Sequence, residues 1–153
     1  MARSEKQKQK LFRLLEIMFR FTDGEHGLTM TQIISALGEY GITAERKSIY
    51  TDMEQLRQLG MDIQSRKGKD GGWFIGQRDF ELAELKLLVD AVQSSRFITR
   101  KKTDQLIRKV EGLTSAHQAR QLQRQVYVTG RIKAMNESIY YTVDALHEAI
   151  ETG

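Results

Sequence analysis

A mostly helical fold with one small β-hairpin is what this chain predicts, and three observations predict it. Apolar residues recur at three- and four-residue spacing through most of the 153 residues, the period that lines one face of an α-helix. Residues 62–76 break that period as two short runs around Lys67-Gly68-Lys69-Asp70-Gly71, whose Asp-Gly pair is a strong hairpin signal. Proline is absent, so helix ends must be set by glycine and polar caps.

The first helix is expected over 6–21, where Leu11, Leu14, Leu15, Met18 and Phe19 oppose Lys8, Arg13, Glu16 and Arg20. Small polar residues and two glycines break it over 22–27. Thr29 begins the second helix: its hydroxyl can accept a backbone N–H, and Gln32 three residues on completes a capping box. Ile33, Leu37 and Tyr40 are its expected buried stripe. The third helix is expected over 44–59, with Thr43 as N-cap, Ile49, Met53 and Leu56 facing inward, and Gly60 as the left-handed end. The strands are expected over 62–66 and 72–76. Trp73 reads as a core anchor for the hairpin.

Gln77-Arg78-Asp79 is the best boundary, dividing the chain into 1–77 and 78–153. Beyond it helices are expected over 80–94, 99–113 and 114–124. A last helix is expected from about residue 136, carrying Ile139, Val143, Leu146 and Ile150. Val126-Tyr127-Val128-Thr129 is β-branched and aromatic, which leaves a short strand open there.

Composition narrows the function. A hydrophobic content of 40 % supports a packed core. The net charge of +4 is a mild basic excess, compatible with nucleic acid. Its distribution is uneven: residues 95–133 hold ten Lys/Arg against Asp104 and Glu111, whereas 137–151 hold four acids and no Lys/Arg. Without cysteine there is no disulfide, thiolate metal site or cysteine nucleophile. No apolar run approaches the ~18 residues of a membrane span, and the basic start lacks a leader's apolar core, so a cytoplasmic, nucleoid-associated protein is expected. His26, His117 and His147 are far apart and lack metal-type spacing, and Gly68-Lys69-Asp70-Gly71-Gly72 is not a phosphate-binding GxxxxGKS/T loop. No catalytic residue, metal or cofactor is expected, and the chain does not read as an enzyme.

Two short helices before a basic-tipped hairpin suit a winged helix-turn-helix. The fold class is therefore mostly α with a small β-hairpin: an N-terminal winged helix-turn-helix plus a C-terminal helical region. A helix of this size fits the major groove, and a Lys/Arg loop beside it can grip phosphates. The candidate DNA-binding residues are Arg46, Lys47, Ser48, Tyr50 and Thr51 on the recognition helix and Arg66, Lys67 and Lys69 on the wing at 66–72. Thr29, Thr31 and Gln32 complete the set, since a helix N-terminus with hydroxyls suits a backbone phosphate, although capping explains Thr29 equally well. Asp52 and Glu54 would repel phosphate and are expected inward or along the flank, Asp52 capping or pairing with Arg57 or another helix. Lys6, Lys8 and Lys10 read as a solvated helix start.

The run Ser48-Ile49-Tyr50-Thr51-Asp52-Met53-Glu54-Gln55-Leu56, then Gly60-Met61 and Gly71-Gly72-Trp73-Phe74, resembles the bacterial DeoR-like and WYL-associated transcription regulators. The segment Phe80-Glu81-Leu82-Ala83-Glu84-Leu85-Lys86-Leu87-Leu88 is similar to the segment after the wing in that family. The start Asn136-Glu137-Ser138-Ile139 is similar to the helix that leads towards the family's sensor domain. The resemblance implies a sequence-specific regulator of duplex DNA. Family members continue into a β-rich WYL domain. This sequence reaches Gly153 where that domain would begin and lacks its motif, its one Trp being Trp73. The chain is thus expected to be a piece of a longer regulator or a short form of one, and ligand sensing is not carried over. A homodimer through the C-terminal helices is expected. The alternatives are a protein-interaction adaptor or an RNA-binding module on the same fold.

Overall fold

A computed structural model describes residues 2–69, 71–125, 133 and 138–152. Among them the chain is mostly helical, with seven helices and one two-stranded antiparallel hairpin. It forms two compact units, Met1–Asp79 with Thr114–Gln118, and Phe80–Leu113 with Ala119–Gly153. Asp70 of the turn signal, the strand alternative at 126–129 and the helix start at Asn136 lie outside the described residues.

In the first unit, α1 (Ala2–Phe21) starts four residues before its expected beginning. Its buried line is Leu14, Ile17 and Met18. α2 (Met30–Glu39) starts as expected: Thr29 Oγ1 accepts from Gln32 N at 3.2 Å, and Thr29 N donates to Gln32 Oε1 at 2.8 Å. Tyr40 corrects the expected stripe. It stands past the end of α2, 40 % exposed, with the Arg13 guanidinium 4.4 Å from its ring centre. α3 (Arg46–Gln58) begins later than expected, with Glu45 rather than Thr43 at the N-cap and no side-chain cap bond. Gly60 takes φ +96 just beyond it, the left-handed geometry that lets the chain leave a helix sharply.

β1 (Ile63–Arg66) and β2 (Gly72–Ile75) pair from Ile63↔Ile75 to Arg66↔Gly72. Ile63 and Ile75 enter the core formed by Leu14, Ile17, Ile33, Leu37, Ile49, Met53 and Leu56. Thr22 fastens β2 to α1: its hydroxyl donates to Met18 O at 2.5 Å and accepts from Ile75 N at 3.0 Å.

Leu28 and Trp73 exchange backbone bonds of 2.9 and 2.7 Å, so the residue before α2's cap is bridged to β2. Gly72 makes this approach available. Its φ is +129, and a Cβ there would meet Leu28 O at 2.5 Å and Leu28 C at 2.6 Å. Gly68 has a similar φ of +120 but open space around it. Gly68→Ala is therefore expected to cost about 1–3 kcal/mol of backbone strain, and Gly72→Ala more, because a backbone clash adds to the same strain. Denaturant midpoints of the two variants measure the difference; equal losses would mean that the close approach to Leu28 carries no weight.

The second unit contains α4 (Leu82–Ser94), α5 (Arg100–Glu111), most of α6 (Ala116–Gln125) and α7 (Ser138–Thr152). Leu85, Val89, Ile107 and Leu122 are its buried core, flanked by Leu82, Val92 and Val110. Thr99 caps α5 by accepting from Lys102 N at 3.1 Å. Lys133 Nζ donates to the carbonyls of Val92 and Ser95. No helix among the described residues is long and apolar enough to cross a membrane.

Candidate nucleic-acid interface

The third helix has two sharply different faces. Ile49, Asp52, Met53 and Leu56 point into the unit, while Arg46, Lys47, Tyr50 and Thr51 are exposed. Thr51 donates back to Lys47 O at 3.2 Å. Arg46 and Lys47 occupy the first turn, where the helix dipole already presents positive partial charge. With no side chain capping that turn, its free N–H groups and the two cations together favour an anion.

One acid of α3 lies underneath this face. Asp52 is 1 % exposed, and Lys10 Nζ of α1 approaches its Oδ2 to 2.7 Å. The same ammonium donates to Ser48 Oγ. Lys10 is thus buried, which corrects the reading of it as part of a solvated helix start. Its partner fits the expectation that Asp52 turns inward towards another helix. Ser48 is half-buried and occupied within the unit. A signal for the pair was present: Lys10 falls four before Leu14, and Asp52 falls between Ile49 and Leu56, so both charges sit on apolar stripes.

Trp73 joins three elements. Its backbone pairs with Leu28, its ring meets the Tyr50 ring edge-on with centroids 5.6 Å apart, and the Arg57 guanidinium lies 5.4 Å from its centre. Arg57 also donates to Ile63 O at 2.8 Å and pairs with Glu54 at 3.2 Å. Glu54 is exposed and shares the outer face with Tyr50 and Thr51, four and three residues before it, which corrects its expected place inward or along the flank. The start of α2, the outer face of α3 and strand β2 therefore converge at Trp73, the first through its backbone and the second through its ring. Thr29, Thr31 and Gln32 lie at that start; all three are exposed, and Thr29 and Gln32 are engaged in the capping box.

The hairpin's cations divide. Arg66 donates to Gly24 O at 2.6 Å and lies 4.8 Å from the Phe74 ring centre, so it is anchored to the unit. Lys67 and Lys69 are exposed at the turn and show no hydrogen bond or ion pair among the described residues. No family model matches the chain, nor does any curated protein or solved structure.

A second polar cluster was missed in the sequence. Asp23 is 1 % exposed; its Oδ1 accepts from the backbone N–H of Glu25 and of His26 at 2.9 Å and lies 2.8 Å from His26 Nδ1. Oδ2 accepts from Ser115 Oγ, which in turn accepts from Gln118 N in the first turn of α6. His26 stacks on His117, centroids 3.9 Å apart and planes 5° from parallel. Burial alone pushes the Asp23 carboxyl up, but these hydrogen bonds together outweigh it and hold the group below the usual carboxylate value. Arg78 donates to Phe19 O and Thr22 O, and burial lowers its pKa while Asp23 opposes that shift. The two histidines stand 91 residues apart in the chain, so spacing carried no trace of the pairing. The cluster holds no nucleophile–base pair: serine and histidine both bond to the aspartate rather than to each other.

Proposed function

We propose that the first unit is a winged helix-turn-helix that binds duplex DNA sequence-specifically, as a transcription regulator of the DeoR-like, WYL-associated kind. In this reading α3 lies in the major groove and the hairpin is the wing on the adjacent backbone. The observation that carries it is the outer face of α3. Arg46, Lys47, Tyr50 and Thr51 are displayed together while Asp52 is drawn inside onto Lys10. Burying Asp52 on Lys10 removes one of the helix's acids from the displayed face, and Glu54, which stays on it, is paired with Arg57.

Trp73 supports the same reading, because it seats the hairpin against Tyr50 and Arg57 and so sets the wing relative to the helix. Arg46 and Lys47 are the proposed base readers, since a guanidinium or ammonium matches the acceptors of guanine. Lys67 and Lys69 are the proposed phosphate contacts. Ser48 and Arg66 act from within the unit, one steadying α3 on α1 and the other holding the hairpin to the 22–27 loop.

Selection of a binding site from randomised duplexes, then titration of variants, tests the division of labour. Arg46→Ala or Lys47→Ala is expected to lose about 1–3 kcal/mol of discrimination between the selected site and its single-base changes. Lys67→Ala or Lys69→Ala is expected to weaken all duplexes nearly alike and to lower the salt slope by about 1 each. Folded protein that binds no duplex at low salt overturns the proposal, and identical behaviour of the two pairs overturns the assignment of roles.

A further inference from the structure

Over residues 141–152, α7 carries an apolar seam that its own unit leaves open. The sequence spaces Ile139, Val143, Leu146 and Ile150 by four, three and four, the a/d rhythm of a coiled coil with Val143 and Ile150 at a. Every described side chain from 141 to 152 is exposed, with Leu146 58 % and Ile150 77 % accessible. Val143 also lines a recess of about 370 Å³ with Phe97 and Ile98, so the apolar surface continues from the seam onto the loop before α5.

We propose that this face is covered by the same helix of a second copy, in a parallel two-stranded coiled coil. The charge pattern selects that occupant. α7 has three acids, Asp144, Glu148 and Glu151, and no Lys or Arg, which disfavours a nucleic acid or an anionic membrane. Self-association would also be opposed if those acids flanked the seam, but in this register they fall at positions b, f and b, on the outer side. The flanking e and g positions hold Tyr140, His147, Thr142 and Ala149, none of them acidic, Lys or Arg. β-branched residues at a with leucine at d in the complete heptad 143–149 favour two parallel strands. Two heptads are a short seam, so the association is weak and concentration-dependent.

Sedimentation equilibrium of the full chain is expected to show a monomer–dimer equilibrium. Leu146→Glu should raise its dissociation constant on the order of 100-fold, because two like charges would be buried in one layer, whereas Glu148→Ala at the outer position f leaves it unchanged. Leu146 is largely exposed within the chain, so the variant keeps its fold, which circular dichroism checks. The absence of native cysteine makes a strand-direction test clean. Ile150→Cys is expected to form a disulfide between copies under mild oxidation, and Glu148→Cys is not. A monomer at every concentration, a trimer, a dimer indifferent to Leu146→Glu, or an Ile150→Cys protein that fails to cross-link each overturns the proposal. Pairing through α7 is independent of DNA binding, and none of these readouts involves DNA.

Discussion

Lys10→Ala is expected to cost about 3–5 kcal/mol of folding stability, because it strands the Asp52 carboxylate in the core without its cation. That is a large part of the roughly 5–15 kcal/mol that holds a typical domain together. The loss is expected although lysine near a helix start is usually a solvated residue of little consequence. Here the ammonium sits 2.7 Å from Asp52 and also donates to Ser48, so two groups on α3 lose their partner at once. Asp52→Ala should be comparably damaging, since it leaves the buried ammonium unpaired.

Replacing both, as in Lys10→Met with Asp52→Leu, is expected to recover most of the stability. Desolvating two ions offsets much of their attraction, and apolar residues of similar volume fill the same space. Urea unfolding of the two single variants and the double variant measures the coupling. If the single changes each cost under about 1 kcal/mol, the pair behaves as a surface salt bridge and its burial carries no weight. The double variant leaves the exposed residues of α3 unchanged, so under the proposed function it should bind duplex DNA as the parent chain does if it folds.

The second large effect is expected at Asp23. Its carboxylate accepts bonds from two backbone N–H groups and from Ser115, and contacts the His26 ring, while buried Arg78 lies within its field. Asp23→Ala removes the acceptor of each of these hydrogen bonds, leaving the buried Ser115 hydroxyl unsatisfied at about 1–3 kcal/mol and loosening the partly buried donors of Glu25 and His26. A total of about 3–5 kcal/mol is expected because such losses are not additive. Asp23→Asn keeps the shape but replaces one acceptor oxygen by a donor, so it should fall between wild type and Asp23→Ala.

The pH dependence has a definite sign. The folded-state pKa of Asp23 lies below its ordinary value, so as pH falls the unfolded chain takes up this proton first. Stability from Asp23 is therefore fully present above the ordinary carboxylate range, about pH 4. It is lost as pH drops through the lower folded value. Chemical denaturation between about pH 6 and pH 3 should show a decline in wild type that is shallower in Asp23→Asn. Equal slopes would mean that the carboxylate does not titrate differently on folding.

Local signals in this chain were strong enough to be read directly. Thr29 and Gln32 form their capping box because both partners lie within one turn, so the bond depends on nothing distant. Gly60 and the two short strands were legible for the same reason: turn geometry and strand alternation are properties of a few neighbouring residues. The opposite faces of α3 also came from its period, which is why the inward turn of Asp52 was foreseeable. The N-cap of α3 was misplaced from Glu45 to Thr43, since a threonine's hydroxyl is a better cap by type than the residue the helix uses.

Other features depended on which distant residues meet. Lys10 and Asp52 are 42 positions apart, and nothing local distinguishes Lys10 from Lys6 or Lys8 except its register with Leu14. The bond from Arg66 to Gly24 O, which ties the hairpin to the 22–27 loop, had no local sign either. The return of Thr114–Gln118 to the first unit, with Ser115 on Asp23 and His117 on His26, left no periodicity or spacing to read. Helices, turns and apolar faces are written in the local order of residues, because they arise from contacts within a turn or a strand pair. Which charges are buried, which hairpin cations stay available and which apolar seam is left uncovered came from the folded chain, because each is a relation between segments that packing alone brings together.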